Sequence, residues 1–126
     1  ESGEVLKEIH CPPEADFARM LKGSVIGCLT VAVHRDLIVG REFKNIFHED
    51  YLFWMEILRD FDIKALGLAK PLARYRLRPA SRSSDKKDAA LAQWRIYRQH
   101  LGLKLSTAVP HFVNYALAGL RKHKSG

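Results

Sequence analysis

A few short strands followed by helices, an α/β or α+β arrangement, is the fold class this 126-residue sequence predicts. Three observations lead there. Residues 28–33 (CLTVAV) are apolar and β-branched, as in a buried strand. Residues 49–59 carry apolar side chains at helical spacing. Two more apolar-periodic runs close the chain behind a loop rich in serine and positive charge.

The elements follow in order. Residues 4–9 (EVLKEI) alternate apolar and charged, which predicts a short strand ended by Pro12 and Pro13. Asp16 caps a short helix through Phe17, Met20 and Leu21, stopped by Gly23. The strand at 28–33 comes next, then a loop with Gly40. In the helix from Glu49 to Arg59, Leu52, Phe53, Met55, Ile57 and Leu58 form the apolar set, with Tyr51 and Trp54 beside them. Residues 63–68 and 72–77 are strand-like, split by Pro71. A helix from Asp88 to His100 turns Leu91, Trp94, Ile96, Tyr97 and Leu101 inward and stops at Gly102. A last helix spans Thr107 to Lys122, with Val109, Phe112, Val113, Tyr115, Ala116, Leu117 and Leu120 apolar. The strand candidates are few and separated, so they resemble the margin of a larger sheet.

Composition narrows the class further. At 47% apolar and 28% charged, the chain suits one folded domain, and no apolar run approaches the roughly 18 residues of a membrane span. Cys11 and Cys28 have neither metal nor disulfide-framework spacing, and the six histidines lack zinc motifs. Residues 1–70 carry a net −3 and residues 71–126 a net +10, so the second part should attract phosphates, nucleic acid or an anionic membrane surface. Gly-rich phosphate loops and the hydrolase elbow are absent.

Two acidic motifs stand out. Glu49-Asp50 falls at a helix N-terminus, where free N–H groups and the helix dipole stabilise a carboxylate. The pair suits either a capping role or a general base at a cleft edge. Asp60-Phe61-Asp62 has the spacing of a metal–diphosphate motif, but lies where a helix ends; it is expected to be a decoy, with Phe61 packed inward.

Read together, MLKGSVIGCLTVAVHRDLI (20–38), HEDYLFWMEILR (48–59), GLAKPLARYRLRPASRSSDKK (67–87) and WRIYRQHLGL (94–103) resemble the bacterial family 2 glycosyltransferases of cell-surface polysaccharide synthesis. Enzymes of teichuronic acid, capsule and O-antigen synthesis are especially similar, even through FVNYALAGLRK (112–122). The resemblance implies a GT-A fold and makes this chain its C-terminal, acceptor-side part. Residues 20–87 are then the catalytic core and 88–126 a basic helical segment. The nucleotide-binding half, with the Mg²⁺ or Mn²⁺ site, is expected to lie outside this sequence, so no metal is assigned to this chain and the fragment alone is expected to be inactive.

By the same match Asp50 is the general base of an inverting transfer from a UDP-sugar to a lipid-linked or glycan acceptor, with Glu49 supporting it. Arg76, Ser81, Ser83 and Lys86 match the loop pattern and are candidates for binding the leaving diphosphate. Gly27 and Thr30 match the strand beside the donor sugar, and Trp54 is either core or a sugar platform. A polyprenyl-linked acceptor suits a cytoplasmic enzyme resting on the inner membrane face through its last helix. The rival reading is a basic nucleic-acid-binding or membrane-surface adaptor without catalysis, although recognition-helix and RNP patterns are missing.

Overall fold

The computed structural model describes residues 3–76 and 86–124, apart from the side chains of 122–124. Among these residues four α-helices surround one core, and a single two-stranded sheet lies at its edge. β1 (Glu14–Ala15) leads into α1 (Phe17–Leu21), α2 (Glu49–Phe61) and β2 (Ala65–Leu66). α3 (Lys86–Arg95) continues as a π-helical turn (Ile96–His100), and α4 (Leu105–Lys124) ends the chain.

α1 starts as expected: Asp16 Oδ1 accepts from the Arg19 N–H at 2.8 Å, satisfying one orphan donor of the first turn. α2 is the hub. Tyr51, Leu52, Phe53, Trp54, Met55, Ile57 and Leu58 are all buried, so this helix is apolar over most of its circumference. Tyr51 and Trp54, placed beside the apolar set by the sequence, belong to the core. Met20 and Leu21 of α1, Ile96, Tyr97 and Leu101 beyond α3, and Ala108 of α4 pack into the same cluster. Each large apolar side chain fully buried there contributes roughly 1.5–3 kcal/mol. The helix closes with Asp62 in the left-handed region (φ 50°), its N–H donating to Arg59 O and the Ile63 N–H to Leu58 O.

The strands depart most from expectation. Residues 4–9 and 72–76 form none, and Val5, Leu6, Ile9, Leu72 and Tyr75 lie exposed. Residue 77 falls outside the described residues. Residues 28–33 are not a buried strand: Cys28–Thr30 form a 3₁₀ turn between extended residues at Gly27 and Val31. Val31 and Val33 still pack against the core, while Cys28 and Leu29 are exposed. A strand is held by a partner's hydrogen bonds, and among the described residues these segments face none. Of 63–68 only Ala65–Leu66 pair, antiparallel to Glu14–Ala15 with Glu14 opposite Leu66. The Gly67 N–H extends this contact to Pro13 O at 2.8 Å. A Cβ on Gly67 would fall 2.0 Å from Pro12 O, so glycine is required for this approach.

The closing helices keep their positions, and their inward faces in part: Ile96, Tyr97 and Leu101 are buried as expected, Leu91 is not. α3 buries Ala89 and Gln93, while Leu91 is 48% exposed and Trp94 half-buried against Phe112. In the π turn the Leu101 N–H donates to Ile96 O at 2.8 Å. The wider turn lets the adjacent Ile96 and Tyr97 both enter the core, at 0% and 1% exposure. Gly102, at φ 63°, ends it as expected. On α4 the inward face is Ala108 with Phe112 and Tyr115 half-buried, whereas Val109, Val113, Leu117 and Leu120 are exposed.

Candidate functional site

The start of α2 gathers the chemistry. Glu49 and Asp50 occupy its first turn and are half-buried. Asp50 Oδ1 accepts the Tyr51 N–H at 2.8 Å, one of the four donors a helix start leaves free. Tyr51 itself is locked: it is 5% exposed and its hydroxyl donates to Met20 O at 3.0 Å. Burial pushes its phenol far above the ordinary tyrosine range, helped by Tyr97; hydrogen bonding with Gln93 pulls the other way. The residue following Asp50 is therefore fixed by the core.

The residue before the pair is also unusual. His48 has φ 58° and ψ 36°, a left-handed conformation that costs a non-glycine residue roughly 1–2 kcal/mol. Its Nε2 lies 3.4 Å from the Tyr115 hydroxyl, and the rings meet edge to face at 6.3 Å. α4 thus braces the turn that delivers the carboxylates.

Cys28 places a second segment here. Its thiol is pushed up first by burial and then by the negative charges of Asp50 and Glu49. The 3₁₀ turn of Cys28–Thr30 is accordingly within electrostatic reach of the acidic pair. Within it Thr30 is exposed, its N–H and hydroxyl both donating to Gly27 O at 3.1 and 3.3 Å.

Trp54, one turn beyond Asp50, is 8% exposed and packs edge-on against Phe53 and Phe43, at 5.1 and 6.3 Å. Its ring is taken up by these contacts, and only the indole N–H finds no partner among the described residues. Arg76 and Lys86 are exposed on either side of residues 77–85; Ser81 and Ser83 lie outside the described residues.

The Asp60-Phe61-Asp62 motif does not fit a metal. Asp60 accepts from Arg41 Nη2 and Arg59 Nε, each at 2.9 Å, and Asp62 forms the helix stop. Phe61 is not packed inward; it is 43% exposed beneath the Arg41 guanidinium, 5.3 Å from the ring centre. Among the described residues no group of three or more His, Cys, Asp or Glu is arranged to hold a metal ion.

A cleft of about 320 Å³ lies next to the acidic pair in the chain. Asn45 and Phe47, just ahead of α2, form one side, and Asp88, Leu91 and Arg95 of α3 with His100 form the other. Its size is at the lower end for small-molecule sites. No pattern in the sequence points to it, because the two walls lie some forty residues apart and meet only through tertiary packing.

Known proteins sharpen the picture. The chain is 30% identical over 97% of its length to UDP-Glc:alpha-D-GlcNAc-diphosphoundecaprenol beta-1,3-glucosyltransferase WfgD of Escherichia coli, of which it covers 48%. It is 35% identical over 92% of its length to TuaG of Bacillus subtilis, a glycosyltransferase named for teichuronic acid biosynthesis, covering 46% of it. A second E. coli glucosyltransferase, WfaP, is 32% identical over 89% of the chain, with 44% of the relative covered. No family model matches the chain, and no solved structure does. The class that these relatives define is the glycosyltransferase. More particularly, the chain is related to bacterial glycosyltransferases of polysaccharide biosynthesis, and spans about half the length of the relatives it matches.

The Asp60 pair yields a pH signature. Burial opposes the charge on Asp60, but its hydrogen bonds to Arg59 and Arg41 and their charges outweigh this and hold the carboxyl below the usual range. Its contribution is complete above the unfolded-state value of about 3.9 and is lost as pH falls through the lower folded value. Asp60→Asn should therefore lower stability in urea at pH 7 by up to about 1 kcal/mol, since the pair is partly exposed, with the difference vanishing at strongly acid pH. A difference that persists undiminished in acid would contradict the ion-pair account.

Proposed function

We propose that the chain is the acceptor-side, C-terminal part of an inverting glycosyltransferase of the GT-A, family 2 type, acting in cell-surface polysaccharide synthesis. The observation that carries this is Asp50, half-buried at the start of α2, in a chain related to glycosyltransferases over nearly all its length. The donor is a UDP-sugar and the acceptor a lipid-linked glycan, in line with the names of WfgD and WfaP.

In this reading one Asp50 oxygen holds the Tyr51 N–H and the other takes the acceptor's hydroxyl proton. The acceptor oxygen bonds to the anomeric carbon as the bond from that carbon to the diphosphate oxygen breaks. UDP leaves with the bonding electron pair, and one displacement inverts the configuration. Glu49 supports the base, and Thr30 faces the donor sugar. Arg76, Lys86, Ser81 and Ser83 meet the charge that develops on the leaving diphosphate. A Mg²⁺ or Mn²⁺ ion belongs to residues outside this sequence, as does the nucleotide pocket, so these 126 residues alone are expected to be inactive.

Release of UDP from a panel of UDP-sugars, with a diphosphate-lipid-linked glycan as acceptor, tests this in the intact protein. Asp50→Asn should cost ~10²-fold or more in turnover. Comparable turnover by wild type and Asp50→Asn would remove Asp50 from the mechanism.

α4 favours placing this enzyme on a membrane surface. Leu105, Val109, Val113, Leu117 and Leu120 are 45–63% exposed along one side of the helix, which ends in Arg121, Lys122 and Lys124. That pairing of apolar side and basic end suits the anionic cytoplasmic leaflet. Among the described residues no helix is long and apolar enough to cross a membrane. Intact protein should float with phosphatidylglycerol vesicles, and Val113→Asp with Leu117→Asp should abolish flotation; flotation indifferent to both changes would refute the contact.

A further inference from the structure

The cleft ahead of α2 combines three features that converge on one kind of ligand. It opens at Phe47, three residues before Asp50, so no more than roughly 11 Å of chain separates it from the proposed base. Phe47 and Leu91 give it an apolar wall that suits a sugar face or prenyl carbons. Its polar lining includes three residues that can donate hydrogen bonds, Arg95, Asn45 and His100. Arg95 forms no ion pair with a carboxylate among the described residues. Asp88 also lines the cleft, seven residues earlier on the same helix and about 10 Å along its axis, and forms no ion pair with Arg95.

We infer that this cleft binds the diphosphate and adjoining carbons of a prenyl-diphosphate-linked acceptor, with Arg95 as the phosphate-binding residue and Asn45 and His100 donating hydrogen bonds. The guanidinium fork matches phosphate oxygens two at a time, which a lysine at this position would not reproduce. Recognition of the diphosphate on α3 leaves the far end of the acceptor's sugar free to present its hydroxyl to Asp50. This assignment rests on the reading of Asp50 as the base, and it adds the group by which the acceptor is recognised.

Dimethylallyl diphosphate, a water-soluble prenyl diphosphate, is the probe, titrated calorimetrically into the intact protein without divalent cations. Binding should weaken about tenfold or more in Arg95→Gln, as expected for loss of a charged hydrogen-bonded contact. It should be unchanged in Asp50→Asn and in Arg74→Gln, an exposed cation outside the cleft. UDP should not displace the probe. Absence of binding, unaltered binding in Arg95→Gln, or equal losses in Arg95→Gln and Arg74→Gln would overturn the proposal; the last would mark a diffuse effect of the basic half. Displacement by UDP that depends on Arg95 would assign the site to the donor's diphosphate and overturn it as well. Thermal unfolding of each variant separates loss of the site from loss of the fold. UDP-sugar turnover by the same proteins keeps the two readings apart: an active Asp50→Asn removes the base but leaves the Arg95 result intact.

Discussion

Burial of Tyr51 is the constraint on which the arrangement turns. The side chain sits at the centre of the core, its hydroxyl tied to Met20 O of α1 and its environment shared with Tyr97 and Gln93 from the α3 side. A buried hydroxyl without partners would cost several times what one hydrogen bond contributes, so this geometry is strongly specified. Asp50 immediately precedes it and has little freedom of its own. The same helix start leaves N–H groups that only a polar side chain or water can satisfy, so the carboxylate stays at the boundary between core and solvent. α4 braces the turn from the other side through Tyr115 and His48, whose left-handed backbone would be hard to sustain without a neighbour.

What the sequence disclosed, and what it concealed, follows from the range of the forces involved. Capping is local, so Asp16, the Glu49 start and the Gly102 stop could all be read directly. The apolar run of α2 was equally plain, since few arrangements other than a core helix accept seven large buried residues within a stretch of eight. Strands depend on partners remote in sequence. CLTVAV has every intrinsic mark of one, yet forms a 3₁₀ turn and an extended segment where no partner is present among the described residues. The π turn was equally hidden, as was the burial of Ala89 and Gln93 in place of Leu91 on the helix ahead of it. At the site, Glu49-Asp50 was legible through its position at a helix start, whereas the Arg95 cleft exists only by tertiary packing. Asp60-Phe61-Asp62 shows the converse, a motif whose spacing suggests metal but whose charges are spent on two arginines.

The division of charge between the two parts of the sequence acquires a physical purpose in this account. A carboxylate that must accept a proton is best kept among few cations, and residues 1–70, which contain it, carry a net −3. Phosphates on donor and acceptor need the opposite, and residues 71–126 carry +10. Separating the two along the chain, and rejoining them at α2 and α3, allows a base and anionic ligands to occupy neighbouring ground without mutual neutralisation. The exposed apolar side of α4 belongs to the same basic part of the sequence.

Asp50 acting as base in one displacement dictates the configuration of the first-formed product. Proton NMR of the intact enzyme's product, made from an α-linked UDP-sugar, reads the anomeric coupling before any further reaction. A β-linked product is predicted, because attack by the deprotonated acceptor hydroxyl must come from the face opposite the leaving diphosphate. An α-linked product would mean retention, which a single base at the start of α2 cannot provide, and the account would fail.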